Sequence, residues 1–489
     1  MDDELQHIKS KSFASVVSLL AQGSYAAVLG FIAFFILTVK SGAHLLGIYN
    51  TVLATLSSFN YFTNLGLGAA IMQKKDVKQV DLNTAFYIQS TLTILAVILG
   101  FYLTPHIFSF YKDLPQSAVT LYWAVLISFL FLSLKSIPSV LLEKNIEIYK
   151  VVIVQAVENT VFYLSIIIMV LLGYEMMSLV VGVLARAIVG LILIFILNPW
   201  MPTLSFSWDS AKRLLKYGIP FQGNSFLALI KDDLLIIYLG GAIGLTNLGI
   251  VTFGKKYAEF SIRLIMDNIN RVAFPLFARF QKNKKLLKKS LEKVFFYESF
   301  FIFSAVIGAI FIFDSLLKII PGAYYDKWHL ALFSFYFFSL SALCVSLYSP
   351  LINFFNAIGK VKTSLYFMIY FTILTWLLIP LSIKIFDANG ISIAFFIMSL
   401  SFVLVIFQAK KYLSFSIWSF IRPNIVAAAT MAGFLFVTRL VTINILNIPV
   451  LHIVLSVLGG GFLYIYIVYL LKGKTLYEET INLIKLRRL

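Results

Sequence analysis

Ionisable side chains interrupt several apolar stretches of the sequence that are long enough to cross a membrane. The stretch FLALIKDDLLIIYLGG, residues 226–241, carries Lys231, Asp232 and Asp233 side by side. Arg186 lies in the middle of another apolar stretch, residues 177–197. A charged residue near the centre of a membrane helix costs roughly 2.5–3.5 kcal/mol, so it needs a partner, water or a ligand. Residues of this kind mark the paths of ions and substrates, and they predict a polar binding path.

A second set of charges follows directly in the stretch GKKYAEFSIRLIMDNINR, residues 254–271. Its charges alternate in sign every fourth residue: Lys255, Glu259, Arg263, Asp267 and Arg271. Residues four apart are neighbours on one helix face, so opposite charges at this spacing can pair. Structural ion pairing and ligand binding both remain open for this ladder. Counted along the two helices, the ladder and the charges at 231–233 reach a similar depth, so the two sets can meet.

The embedded charges favour an anionic cargo because basic residues outnumber acidic ones. The basic residues are Lys135, Arg186, Lys231, Lys255, Lys256, Arg263 and Arg271. The acidic residues are Glu158, Asp232, Asp233, Glu259 and Asp267. Our substrate-binding candidates are Arg186, Lys231, Lys255, Lys256 and Arg263, with Asn60 and Asn64 as hydrogen-bonding groups for a sugar. Our candidates for a coupling H⁺ or Na⁺ are Glu158, Asp232, Asp233 and Glu259, although Glu158 can instead pair with Lys135.

Other chemistry is not expected from this sequence. The sequence contains no G-x-x-x-x-G-K-[ST] loop, and its five histidines have no metal-ligand spacing. We see no catalytic constellation and therefore predict no enzyme, no metal and no cofactor other than a coupling ion. Nucleic acid is not an expected partner either, although the net charge is +18, because the basic residues lie in short loops next to apolar runs.

The elements that must hold these charges are membrane helices. The chain has 489 residues, of which 60% are hydrophobic and only 13% are charged. Apolar runs of about 20 residues, the length of a membrane-crossing helix, recur throughout the sequence. Runs such as TLTILAVILGFYL are apolar on every side, which excludes the alternating strands of a membrane barrel. We therefore predict an all-α polytopic membrane protein.

The apolar runs predict about fourteen spans. They lie near residues 13–37, 46–70, 84–109, 118–141, 150–172, 177–197, 217–239, 246–275, 294–317, 329–356, 364–386, 390–409, 423–444 and 449–471. Lys and Arg fall almost entirely on one set of loops, including the cluster RFQKNKKLLKKSLEK. The positive-inside rule places these loops and both termini in the cytoplasm, next to anionic lipid of the cell membrane.

A short internal repeat divides the sequence. The motif LLGIYN at 45–50 opens the second span, and NLGIVT at 247–252 opens the eighth, 202 residues later. Each motif follows a short outer loop. Because six spans separate the two motifs, the repeats run parallel, as in transporters built from two similar halves.

The segment from 214 to 281 resembles the central block of oligosaccharide flippases of the multidrug/oligosaccharidyl-lipid/polysaccharide exporter superfamily. The resemblance includes Gly218 and Pro220 at the start of the seventh span, and Pro275 at the cytoplasmic exit of the eighth. It also includes SPLINFFNAIGKVKTS and FDANGISIAFF further along the chain. The resemblance implies two pseudo-symmetric six-helix bundles in a V, residues 1–211 and 212–411, with two further helices in residues 412–489.

The same resemblance implies the cargo and the mechanism. The cargo is an oligosaccharide on a polyprenyl diphosphate, moved from the cytoplasmic to the outer leaflet by alternating access for surface polysaccharide assembly. Other polysaccharide-assembly proteins are then expected as partners. Three alternatives remain: a multidrug exporter of the same superfamily, a membrane enzyme that uses lipid-linked sugars, and a scaffold subunit. An exporter of cationic drugs would carry excess embedded acid, and an enzyme would carry a large outer loop.

Overall fold

The computed structural model describes residues 22–23, 25–74, 76–111, 114–145, 147–320 and 324–486. Some side chains within these ranges lie outside the description, namely those of residues 56, 60, 62, 64, 220, 221, 223–225, 261, 264, 267, 268, 271, 272 and 474–486. Within the described ranges every regular element is a helix. The all-α prediction is therefore confirmed for this part of the chain.

The helices of the first half are α1 (Tyr25–Lys40), α2 (Ala43–Asn64), α3 (Leu67–Gln73), α4 (Gln79–Phe110), α5 (Gln116–Leu134), α6 (Ser136–Lys144), α7 (Ile148–Leu171), α8 (Glu175–Leu197), α9 (Trp208–Lys231) and α10 (Asp233–Ile243). The second half begins with α11 (Leu245–Phe280), α12 (Lys284–Ile319), α13 (Tyr324–Trp328), α14 (Ala331–Ala357) and α15 (Val361–Phe386). It continues with α16 (Gly390–Ser399), α17 (Phe402–Lys410), α18 (Trp418–Arg439), α19 (Pro449–Leu455) and α20 (Gly461–Leu486).

The helices place apolar side chains outward and small or polar ones inward. On α4, Tyr102 is 73% exposed and Ile98 is 59% exposed, whereas Thr93, Gly100 and Thr104 are buried. This arrangement suits a membrane, because apolar side chains on the outer surface contact lipid tails without a free-energy penalty. The small residues on the inner side let neighbouring helices pack closely. The inner threonines satisfy their hydroxyls locally, as in the Thr104 hydroxyl that donates to the Gly100 carbonyl.

Nine segments of the described chain are long and apolar enough to cross a membrane. One of them, Val361–Lys410, has 50 residues and contains the two predicted spans at 364–386 and 390–409. The helices that carry the charges at 231–233 and at 255–271, namely α9, α10 and α11, are not among the nine. Every predicted span overlaps at least one helix over its described residues, although several, such as 46–70, contain the end of one helix and the start of the next. The number fourteen stays a prediction.

The chain divides by contact density into two units, Met1–Gly249 and Ile250–Leu489. The core of the first unit combines residues from α1, α2, α4, α5, α7 and α8, among them the fully buried Leu121, Leu126 and Leu179. In the second unit α12 packs against α14, α18 and α19. The predicted domain boundaries, 1–211, 212–411 and 412–489, describe a repeat rather than contact density and stay a prediction.

The beginnings of the two repeat motifs lie against each other within the first unit, which ends at Gly249. The His44 and Thr246 side chains are hydrogen bonded across 3.2 Å and are 202 residues apart. A Cβ on Gly47 would lie 1.9 Å from the Leu245 carbonyl oxygen, and one on Gly249 would lie 1.8 Å from the Ala43 carbonyl oxygen. The glycine of each motif therefore lets the start of α2 and the start of α11 cross backbone to backbone.

Candidate functional site

Arg186 lies on α8 in the first unit, surrounded by aromatic side chains of neighbouring helices. Its guanidinium carbon is 5.7 Å from the centroid of the Phe162 ring of α7. The hydroxyls of Tyr49 and Tyr163 are near enough to interact with its charge. The Arg186 Nε atom is buried and has no hydrogen-bond partner among the described residues. An arginine in this setting can donate to an anionic ligand.

Lys135 and Glu158 form a buried ion pair between the end of α5 and the middle of α7. Glu158 is 2% exposed, and its carboxylate occupies the space that Gly190 of α8 leaves open. A Cβ on Gly190 would lie only 1.7 Å from the Glu158 Oε1 atom. Glu158 is thus paired with Lys135, one of the two possibilities that the sequence allowed for this residue.

The charges at 231–233 lie where one helix ends and the next begins. α9 ends at Lys231 and α10 begins at Asp233, with Asp232 between them in a distorted helical conformation. Lys231 Nζ pairs with Asp232 Oδ1 at 2.6 Å, and the Ser57 hydroxyl of α2 hydrogen-bonds Asp233. The predicted seventh span is therefore distorted at its charges, although the Asp232 amide still donates to the Ala228 carbonyl at 2.9 Å and the Ile236 amide donates to the Asp232 carbonyl at 3.2 Å.

The ladder on α11 is present in the described side chains of the second unit. Glu259 lies between Lys255 at 3.7 Å and Arg263 at 3.0 Å. Lys255 also lies 4.6 Å from the centroid of the Phe395 ring of α16, a cation–π contact. Arg263 is 72% exposed, and Lys256 is exposed as well. The pairing at intervals of four follows from helix geometry, and the exposed guanidinium keeps donors available for a ligand.

The remaining predicted positions lie outside the described side chains. Asn60 and Asn64 belong to α2, and Asp267 and Arg271 belong to α11, but none of these four side chains is described. The predicted meeting of the charges at 231–233 with Lys255 and Lys256 would join the two units. It stays a prediction, as do the substrate and coupling-ion roles of all these residues.

Two embedded acids were missed by the sequence reasoning. Glu298 on α12 is 1% exposed, and neither carboxylate oxygen has a hydrogen-bond partner in the described part of the chain. Asp314, four turns further along α12, accepts from Arg439 at 2.9 Å and from Lys318 at 3.1 Å. The signal for Glu298 was available, since it is a lone acid inside the apolar run VFFYESFFIFSAVIG.

Asp314 joins the C-terminal helices to the rest of the second unit. Arg439 lies at the end of α18, and the Tyr325 hydroxyl of α13 donates to the other Asp314 oxygen at 3.2 Å. Next to it, the buried His452 of α19 is hydrogen bonded to Ser315 at 2.8 Å. All of these groups have partners within the protein, so we assign the cluster a structural role.

The described residues contain no group of three or more His, Cys, Asp or Glu that could hold a metal ion. Cys344 on α14 is a free thiol.

Comparison with known proteins identifies relatives of this chain. The teichuronic acid biosynthesis protein TuaB of Bacillus subtilis is 21% identical over 267 residues, which are 54% of this chain and 54% of TuaB. The match thus spans about half the length of that relative. The lipopolysaccharide biosynthesis protein WzxC of Escherichia coli is 20% identical over 364 residues, 73% of this chain and 72% of WzxC.

Two solved structures share the fold. The lipid II flippase MurJ in an inward closed conformation has a TM-score of 0.75 at 14% identity, over 94% of this chain and 99% of MurJ. An inward-facing multidrug resistance MATE family transporter of the MOP superfamily has a TM-score of 0.62 at 13% identity, over 81% of this chain and 98% of its own. The chain is thus a multi-pass membrane protein with the transporter fold of that superfamily.

The family of this chain follows from a family model that matches more than half of its length. A family model described as polysaccharide biosynthesis protein matches residues 23–330, which is well over half of the 489-residue chain. The match includes α1 to α13 and thus both sets of embedded charges. The chain belongs to this family of polysaccharide biosynthesis proteins.

Proposed function

We propose that the protein is a flippase for lipid-linked oligosaccharide. It moves a glycan unit on polyprenyl diphosphate from the cytoplasmic to the outer leaflet of the cell membrane, by alternating access, for surface polysaccharide biosynthesis. The observation that carries the proposal is a membrane-embedded arginine, Arg186, in a chain of a polysaccharide biosynthesis family with a flippase-like fold. The relatives and the fold support this function over a scaffold or an enzyme.

The charges of the site support a diphosphate headgroup as the part of the cargo that is recognised. A guanidinium donates two parallel hydrogen bonds to phosphate, and it stays charged in a site of low polarity. The Arg186 Nε atom is buried without a partner, so a ligand that accepts from it would remove the cost of an unsatisfied donor. Tyr49 and Tyr163 add hydroxyls beside the same charge, where they can donate to phosphate or sugar oxygens.

The second unit offers cations for the same headgroup or for acidic sugars. Lys255 and Arg263 share one carboxylate, that of Glu259, so the three side chains carry a net positive charge. This local net positive charge also argues against the export of cationic drugs, the alternative that the MATE-like fold offers. Transport of this kind is secondary and needs no nucleotide. We place both termini in the cytoplasm and expect H⁺ or Na⁺ as the coupling ion.

The direct test is a flipping assay in proteoliposomes. The probe is a disaccharide on a short polyprenyl diphosphate that carries an NBD fluorophore on the sugar, and dithionite quenches only the molecules in the outer leaflet. We expect the wild-type protein to make the inner-leaflet probe accessible and Arg186→Gln to abolish this. Arg186→Lys should retain part of the activity, because the charge remains but the bidentate donors are lost.

Arg279→Gln is the matched control. Arg279 is an exposed arginine in the last turn of α11, and its loss removes one positive charge without touching α8. Its flipping rate should equal that of the wild type. Efflux of a cationic dye by wild-type vesicles that leave the NBD probe unflipped would reject the flippase and favour the multidrug exporter.

A further inference from the structure

A buried carboxylic acid in the second unit has no partner and no place in the functions described so far. Glu298 lies on α12, a helix that is long and apolar enough to span the membrane. It is 1% exposed, and both carboxylate oxygens lack a hydrogen-bond partner among the described residues. An ionised carboxylate in such a place is strongly disfavoured, so the group is neutral and carries a proton.

The surroundings of Glu298 are apolar on the face of α12 where it lies. One turn before it, Phe295 packs in a core cluster with Phe277 of α11 and Phe354 of α14. One turn after it, Ile302 packs in another cluster with Ile262 of α11 and Ala342 of α14. Residues 295, 298 and 302 share one helix face, so Glu298 falls between the two clusters, at the seam of α12 with α11 and α14.

The titratable groups on this seam are few. On α14 they are Cys344 and Tyr348, and on α11 they are Glu259, Arg263, Asp267 and Arg271, the last two with side chains outside the described part. On other faces and neighbours of α12 they are Glu292, Lys293 and Tyr297 of α12, Arg422 and Arg439 of α18, His452 of α19, and Tyr464 and Lys472 of α20. No hydrogen bond or ion pair joins Glu298 to any of them in the described side chains.

The ligand that fits this carboxyl is a proton rather than a metal cation. Hard cations take several oxygen ligands at once. The Glu298 oxygens have no hydrogen-bond partner in the described part of the chain, and no cluster of His, Cys, Asp or Glu that could hold a metal is found there. A single carboxyl in an apolar seam can bind a proton without further ligands.

We infer that Glu298 is a proton-binding site. It binds a proton when α11, α12 and α14 are packed as described here, and it releases the proton when that packing changes. The inference rests on the proposed function for its purpose, since a proton bound in only one arrangement can couple a proton gradient to transport. A proton that binds one of two arrangements better shifts the equilibrium between them. When one of these three helices moves, the side chains next to the Glu298 carboxyl change, and the polarity of its surroundings changes with them.

The first experiment tests whether Glu298 carries a proton. Infrared spectra of the full-length protein in lipid bilayers report the C=O stretch of a protonated carboxyl, which shifts in D₂O. We expect this band in the wild type and in Glu292→Gln, and its loss in Glu298→Gln and in Glu298→Leu, whose side chain suits an apolar site. Glu292 is the matched control because it is a buried acid on the same helix with a partner, Lys288, at 3.9 Å.

The second experiment tests whether the proton exchanges with a change in packing. Cys344 is the only cysteine of the chain and lies on α14, so its alkylation by N-ethylmaleimide reports on this seam without engineering. We compare the rate of Cys344 alkylation in the wild type with that in Glu298→Gln. The ratio of these two rates should change roughly fivefold or more from mildly acidic to mildly alkaline pH. Taking the ratio removes the ionisation of the thiol itself. Glu292→Gln should follow the wild type.

Each result decides the inference. Identical infrared spectra for the wild type and both Glu298 variants would overturn it. The infrared band can disappear in both Glu298 variants while the ratio of alkylation rates does not change with pH. That result would show that Glu298 is a protonated acid with a structural role only, and it would overturn the inferred release of the proton. Neither experiment uses a glycan lipid, so a failure of the NBD probe to flip would reject the proposed function and leave the proton site standing.

Discussion

Gly249 permits the backbone contact between the starts of α2 and α11, and an alanine there should destabilise the protein. The new Cβ would lie 1.8 Å from the Ala43 carbonyl oxygen, whereas an ordinary contact begins at 3.4 Å. The helices would have to separate by the difference, about 1.6 Å, and overpacking of this kind costs roughly 1–3 kcal/mol. The obstacle is a backbone carbonyl and cannot rotate away, so we expect the upper end of that range.

Helix propensity partly offsets this loss of stability. Alanine is more favourable than glycine inside a helix by about 1 kcal/mol. We therefore expect Gly249→Ala to lower the free energy of unfolding by about 2 kcal/mol, the difference between about 3 for overpacking and about 1 for propensity. Gly47→Ala should behave alike, since its Cβ would lie 1.9 Å from the Leu245 oxygen.

Gly433→Ala is the matched control for this prediction. Gly433 is exposed inside α18, and a Cβ there meets nothing within 4 Å. This substitution should leave stability unchanged or raise it by up to about 1 kcal/mol. Both variants are compared by denaturant unfolding in the same detergent micelles. Equal stability of Gly249→Ala and Gly433→Ala would refute the close crossing.

Three further substitutions test the charged residues. Glu158→Gln leaves the partly buried Lys135 without its counter-charge and should lower the free energy of unfolding by about 3 kcal/mol. Replacing both Lys135 and Glu158 by Met and Leu should recover most of this loss. Asp314→Asn should lower the unfolding midpoint because two cations lose their carboxylate, whereas Asp326→Asn, at an exposed acid of α13, should not. Lys255→Gln should slow flipping of the NBD probe at unchanged stability, and an unaltered rate would remove Lys255 from the binding site.

The sequence alone determined the class of fold, because the free energy of placing a helix in lipid depends on its own residues. The apolar runs predicted helices throughout, and every predicted span overlaps at least one helix over its described residues. The ladder of Lys255, Glu259 and Arg263 was also predictable, since the spacing of four fixes neighbours within a single helix.

Tertiary structure decided which embedded charges have partners. Lys135 and Glu158 are 23 residues apart on different helices, and only the packing of α5, α7 and α8 brings them together beside Gly190. Glu298 is isolated for the same reason, because the helices packed around it present apolar side chains. The repeat motifs at 45–50 and 247–252 were visible in the sequence, but the meeting of their glycines depends on how two helices cross. Pairing across helices is a property of packing, and local sequence carries no record of it.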